Sequence, residues 1–308
     1  MASPIDLQGV TKRYRHLTAV DQLNMRVEAG ERIALVGHNG AGKTTLMKLM
    51  LGLVRPSAGS IQVLGTAPSA ANAARFRRKL GFLPENVAFD EALTGFGLLR
   101  FYARLKGCPP AECVSLLERV GLHGAADARV RTYSKGMRQR LGLAQALLGS
   151  PRVLLLDEPT GGLDPGLRQR FYEIIESLKA KGAAVVLSSH LLTELEARTE
   201  RIIIMARGRI VAEGSVSKLR RESRLPLRFH LMTAGGNGRV LERFAQATDL
   251  TVNGASNISF TAAPEDKMAV VQAIGELGNH VRDIEVISPS LDDVYAYFVP
   301  DEGRPCGP

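Results

Sequence analysis

The sequence predicts an α/β fold with a central, mainly parallel sheet, followed by a small α+β domain. Short, fully apolar runs at residues 33–36, 153–156 and 184–187 alternate with segments of helical pattern, as parallel strands covered on both faces do. A glycine-rich loop at residues 37–45 joins the first of these runs to a helical stretch. After Gly214 the texture changes to short strand and helix signals around a loose TAGGNG loop at residues 233–238.

Residues 5–36 alternate as strands, with a polar turn at Glu28, Ala29 and Gly30, and predict an N-terminal antiparallel β subdomain that leads into the loop. Residues 46–54 suit a helix, with no breaker before Gly52. A turn at residues 56–59 precedes a strand at 61–65, and residues 70–80 read as helical and basic. Residues 93–148 are mostly helical, with breaks at 107–110 and 121–124, and predict a helical insertion over about residues 87–150. A helix at 166–180 separates the two later apolar runs. The last part reads as strand 227–232, helix 240–247, strands near 250–252 and 258–261, helix 265–277 and strand 281–287. A final helix is expected from Ser290, where Ser-Leu-Asp-Asp offers a hydroxyl cap with an acid at Asp293. The expected domains are 1–215 and 216–308, the last few residues forming a flexible tail.

The 308 residues carry 40 Lys+Arg against 31 Asp+Glu, a net charge of +9, with 45% hydrophobic and 23% charged residues. This composition excludes wholesale disorder and a disulfide-built miniprotein. Apolar stretches fall far short of the ~20 residues a membrane-spanning helix requires. The N-terminus has no basic start, apolar middle or cleavage site, so a cytoplasmic location is expected. Cys108, Cys113 and Cys306 are odd in number and form no CxxC pair, which argues for free thiols over a disulfide framework or a zinc site. The positive charge by itself leaves nucleic acid and an anionic membrane surface open as partners.

Gly37-His38-Asn39-Gly40-Ala41-Gly42-Lys43-Thr44, followed by Thr45, fits GxxxxGK[ST] between a predicted strand and a predicted helix, the context a P-loop NTPase requires. Glycines let successive backbone N–H groups converge on phosphate oxygens, and the helix N-terminus adds partial positive charge. Lys43 is the candidate to bridge the outer phosphates of ATP, and Thr44 to offer its hydroxyl to Mg²⁺. Downstream, Asp157 and Glu158 close the apolar run 153–156, at a strand end of the kind where ligands collect. Asp157 is a candidate to hold Mg²⁺ through water. Glu158, pointing the other way, is a candidate to polarise the water that attacks the γ-phosphate. A lone Asp-Glu pair is more often a solvated turn, but the apolar run and the upstream loop argue against that here.

Tyr133-Ser134-Lys135-Gly136-Met137, followed by Arg138-Gln139-Arg140 and an apolar helix, is similar to the ABC signature, which helicases, kinases and GTPases lack. Over roughly residues 4–215 the chain therefore resembles the nucleotide-binding subunit of an ABC transporter. The resemblance implies that Ser134 and Gly136, with Lys135, Met137 and Asp164, complete the ATP site of a second copy, so a homodimer is expected. Further implied roles are Tyr14 stacking on adenine, Thr160-Gly-Gly-Leu-Asp164 as the D-loop, and His190, after Ser188 and Ser189, as the switch histidine that joins Lys43 in stabilising the γ-phosphate. One position departs from the commonest pattern: Glu85 stands where many members carry glutamine, which puts its role as a Mg²⁺ ligand in doubt. Asn86, Val87 and Phe89 are candidates to meet a permease helix.

The resemblance also implies an integral membrane permease as partner, with the ATPase at the cytoplasmic face of a bacterial inner membrane. Pro289-Ser-Leu-Asp-Asp-Val-Tyr295 looks like the accessory domain of ATPases that serve ABC-2-type exporters. GHNGAGKTT, LPENVAF, FYARLKG, RTYSKGMRQRLGLAQALLG and LLLDEPT together resemble the ATPase of the Nos system, which supports copper-centre assembly in nitrous oxide reductase with a permease and a periplasmic partner. The rival within the class is an exporter ATPase for a drug, lipid or polysaccharide. A soluble ABC protein acting on nucleic acid is disfavoured, because no long coiled coil separates Lys43 from Asp157 and only one cassette is present. Copper ligation by Cys108 and Cys113 is disfavoured by the absence of histidine beside them.

Overall fold

A computed structural model describes residues 3–69, 76–189, 192–196, 198–234 and 236–300. The expected basic helix at its 70–75 end, His190, Cys306 and the C-terminal tail lie outside the described residues. The chain divides into two compact units between Glu213 and Gly214.

In the first unit, β1 (Ile5–Tyr14), β2 (Leu17–Val27) and β4 (Ala58–Val63) form an antiparallel sheet in the order β2-β1-β4. The main sheet runs β5 (Leu80–Leu83), β6 (Val153–Leu156), β7 (Ala184–Ser188), β3 (Arg32–Val36), β8 (Arg201–Ala206) and β9 (Arg209–Gly214). From β5 to β8 every pairing is parallel, which explains the apolar runs. β3, β6 and β7 are buried at every position, with helices on the sheet. The β8–β9 hairpin was not predicted; its turn residues Arg207 and Gly208 both take positive φ, at 50° and 78°, as a two-residue hairpin turn demands.

α1 (Lys43–Met50) follows the glycine loop directly. The insertion consists of α2 (Gly95–Lys106), α3 (Pro110–Arg119) and α4 (Lys135–Leu147). The break expected at 121–124 is present, and residues 125–134 are less helical than predicted, so that 120–134 hold only two 3₁₀ turns. Gly121, at φ +67°, ends α3, and Tyr133 is buried with its hydroxyl donating to the Ala125 carbonyl at 2.6 Å. A Cβ at Gly95 would lie 2.1 Å from that hydroxyl oxygen, so glycine is required where α2 meets the tyrosine. α5 (Pro165–Lys179) and the short α6 (Leu192–Glu196) complete the unit.

The second unit opens with α7 (Val216–Ser223) and continues β10 (Leu227–Thr233), α8 (Gly238–Arg243), β11 (Thr248–Val252), β12 (Asn257–Ala262), α9 (Lys267–Glu276), β13 (Val281–Ile287) and α10 (Leu291–Phe298). Its antiparallel sheet has the order β11-β12-β10-β13, the split β-α-β arrangement. Phe229, Leu231, Val240, Ile258, Phe260 and Ile274 form its core. Ser290 caps α10 in a full capping box with Asp293, as the sequence predicts.

Candidate active site

The loop at residues 37–42 leaves the buried end of β3 and turns into α1. Two of its glycines have steric reasons. Gly42 has φ +106°, and a Cβ there would sit 2.4 Å from the Ala19 carbonyl oxygen; at Gly37 it would sit 2.5 Å from the Met205 carbonyl oxygen. Lys43 is buried, its Nζ donating to the Gly37 carbonyl and, at 3.2 Å, to the His38 carbonyl. The ammonium thus folds back over the loop whose N–H groups would hold phosphate. Burial pushes the Lys43 pKa down, and the carboxylates of Glu158, Asp157 and Glu85 pull against that shift, in that order. A bound polyanion would add to that pull and favour the charged ammonium further.

Asp157 follows β6 and is 3% exposed. Both its oxygens are engaged: Thr44 Oγ1 donates to Oδ2 at 2.8 Å, and Ser188 Oγ donates to Oδ1 at 2.6 Å. Ser188 also accepts from the Glu158 N–H at 2.9 Å. Glu158 itself has φ +50°, in the left-handed region. Four sequence-predicted groups, Lys43, Thr44, Asp157 and Glu158, are therefore brought together, with Glu85 exposed after β5 and close enough for its charge to act on Lys43. Ser188 is a member of the cluster that sequence reasoning placed only as a marker before His190. A single serine ending an apolar strand carries no pattern that could have singled it out.

Tyr14 ends β1 with its ring 40% exposed and Lys12 Nζ 4.8 Å from the ring centroid, a surface ring available for stacking. The remaining residues gather elsewhere. Ser134 caps α4, accepting from the Met137 N–H at 3.2 Å, and is exposed together with Lys135, while Gly136 and Met137 are half-buried. A Cβ on Gly136 would lie 3.1 Å from the Gly162 carbonyl oxygen, so the 134–137 string abuts the loop at residues 160–164. Asp164 caps α5 through the Leu167 N–H at 3.0 Å. Val87 is half-buried against α4, where a Cβ at Gly142 would come within 3.0 Å of its Cγ2, and Phe89 packs on Tyr102 with ring centroids 6.3 Å apart. Cys113 is buried and Cys108 half-buried, both as free thiols whose pKa burial raises. Among the described residues, no cluster of three or more His, Cys, Asp or Glu is placed to hold a metal, and no helix is long and apolar enough to cross a membrane.

Comparison with known proteins gives a consistent result. The family model for ABC transporter matches residues 20–161. The daunorubicin resistance ATP-binding protein DrrA3 of Streptomyces coeruleorubidus is 34% identical over 308 residues, covering 97% of each chain. Nod factor export ATP-binding protein I of Burkholderia thailandensis is 41% identical over 217 residues, 69% of this chain and 71% of that one. The solved structure of an ATP-binding subunit of an ABC transporter superposes with a TM-score of 0.68 at 31% identity, over 71% of this chain and 93% of that one.

Proposed function

The chain belongs to the ATP-binding subunits of ABC transporters, and we propose that within that family it pairs with a second copy to hydrolyse ATP and drive a membrane permease that exports its cargo. The observation that carries this is the linked set Thr44, Asp157, Ser188 and Glu158 beside the buried Lys43. Lys43 and the loop amides bind the β- and γ-phosphates, and Tyr14 stacks on the base. Thr44 Oγ1 and Asp157 Oδ2 converge as hard oxygen donors, the chemistry Mg²⁺ takes, and the ion would draw negative charge from the phosphate oxygens. Glu158 orients the attacking water and accepts its proton, and His190 and Lys43 stabilise charge on the γ-phosphate. Ser134, Lys135, Gly136, Met137 and Asp164 serve the partner's nucleotide.

Two further features support coupling to a permease at the cytoplasmic face of the membrane, where ATP is available. α2 exposes Phe101 (53%) and Leu105 (58%), one helical turn apart and preceded by the exposed Arg100 and Arg104, an apolar pair with a basic border. Asn86 and Phe89 lie in the segment just after Glu85. An organic amphiphile as cargo is supported by the full-length similarity to a daunorubicin resistance protein, which includes the second unit. A role in copper or sulfur delivery for nitrous oxide reductase, with a periplasmic partner, has the Nos-like motif strings as its support.

The assay is ATP turnover and ATP binding by Glu158→Gln. Retained binding with turnover lost is expected, and wild-type hydrolysis by this variant would overturn the assignment.

A further inference from the structure

We propose that Ser188 is a positioning residue for hydrolysis, whose buried hydroxyl clamps the Asp157 carboxylate to the Glu158 backbone and so fixes where Glu158 presents its side chain. The inference rests on the reading of Glu158 as the group that orients water.

Ser188 ends β7 and is fully buried. β6 and β7 run parallel with Leu156 opposite Leu187, so Ser188 comes level with the residue that leaves β6, Asp157. A hydroxyl has one proton and two acceptor sites, and here both functions are used in opposite directions. The proton goes to Asp157 Oδ1 at 2.6 Å, and a lone pair receives the Glu158 N–H at 2.9 Å. With Thr44 on Oδ2 at 2.8 Å, the Asp157 carboxylate is held from two sides.

Glu158 needs the same hydroxyl for a different reason. Its φ of +50° brings the Cβ of an L-residue against the backbone, so the conformation persists only where neighbouring groups hold it. The Ser188 oxygen holds the N–H on one side of that φ, and the Gly161 N–H reaches the Glu158 carbonyl at 3.3 Å on the other. Removing the hydroxyl takes a partner from a half-buried amide and from a buried carboxylate oxygen at once. The amide is then freer to rotate, and the glutamate carboxylate is displaced from the water it must orient. Phosphate binding by Lys43 and the loop amides does not pass through Ser188, and Thr44 still holds Asp157 by Oδ2, the oxygen proposed to face Mg²⁺, so substrate affinity should be spared.

The test uses the full chain with ATP and Mg²⁺, comparing Ser188→Ala, Ser188→Thr and Glu158→Gln. Ser188→Ala should lower kcat about 10-fold and leave KM for ATP within about twofold, because the lost contact serves the transition state and not ground-state binding. Ser188→Thr keeps the hydroxyl and should recover about half of the wild-type kcat or more. A kcat for Ser188→Ala within about twofold of wild type overturns the proposal. Loss of ATP binding along with turnover in Ser188→Ala, or a threonine variant no better than alanine, also overturns it, since either result marks a packing role. Normal turnover in Glu158→Gln removes the underlying reading of Glu158; an inactive Glu158→Gln beside a normal Ser188→Ala removes the Ser188 proposal alone.

Discussion

Lys106 allows a quantitative test of how the helix that starts at the signature is anchored. It ends α2 with its ammonium donating to the Leu148 carbonyl at 2.9 Å, just beyond the last turn of α4, the helix that Ser134 caps at its other end. Burial pushes its pKa down from 10.5 to about 8, against smaller opposite pulls from Cys108 and Glu112. Below about pH 8 the lysine is charged in both the folded and the unfolded chain, and the folded state bears the full cost of burying that charge. Between pH 8 and 10.5 the unfolded chain binds the extra proton, so stability rises with pH. Each pH unit inside the window is worth up to about 1.4 kcal/mol, which gives about 2 kcal/mol from pH 8 to pH 10. Lys106→Met keeps the stem and removes the proton, leaving a constant offset from the unpaired carbonyl and a smaller shift of the neighbouring Cys108 thiol, which loses the pull of the ammonium. Urea unfolding of both proteins at pH 8, 9 and 10 should show the wild type gaining about 2 kcal/mol on the variant across the series. A difference that stays constant to within about 0.5 kcal/mol would refute the buried-ammonium account.

Two other perturbations address the second unit. Phe229→Ala empties a fully buried site where the ring stacks on Phe260 at 5.3 Å, and should cost about 3–5 kcal/mol. Calorimetry should show one transition falling while ATP turnover stays at the wild-type rate; equal loss of both would contradict a core private to that unit. Ser290→Ala removes the hydroxyl half of the α10 capping box and should cost about 1 kcal/mol in urea unfolding, with Ser290→Thr close to wild type. An alanine variant as stable as the parent would show that the cap contributes nothing.

The parts of the fold legible in the sequence were those in which burial imposes a pattern. β3, β6 and β7 are covered on both faces, so each reads as an uninterrupted apolar run. In the second unit β10 alternates buried and exposed residues, and Ser290 and Asp293 announce α10 three residues apart. The β8–β9 hairpin escaped because its charged ends look like surface. Arg201 in fact pairs with Glu31 and Glu213, and Arg209 with Asp21, partners distant in sequence or across the hairpin. The break at 121–124 was legible from its glycines, whereas residues 125–134 read as helical because their composition suits a helix, and the inward Tyr133 instead holds them in tight turns.

At the site itself, residue types were legible and backbone direction was not. Strand alternation alone would place Asp157 and Glu158 on opposite faces. β6, however, ends at Leu156, and Glu158 has left the strand geometry with φ +50°. Its separation from Asp157 therefore comes from a left-handed turn, and that turn is held by a hydroxyl from β7, a strand that becomes a neighbour only once the sheet has formed. No local window contains both partners, since the contact spans thirty-one residues from Asp157 to Ser188. The motif identifies the two acids, while parallel pairing of β6 and β7 gives them different settings: one carboxylate is fixed between two hydroxyls, and the other is carried on a constrained, left-handed backbone.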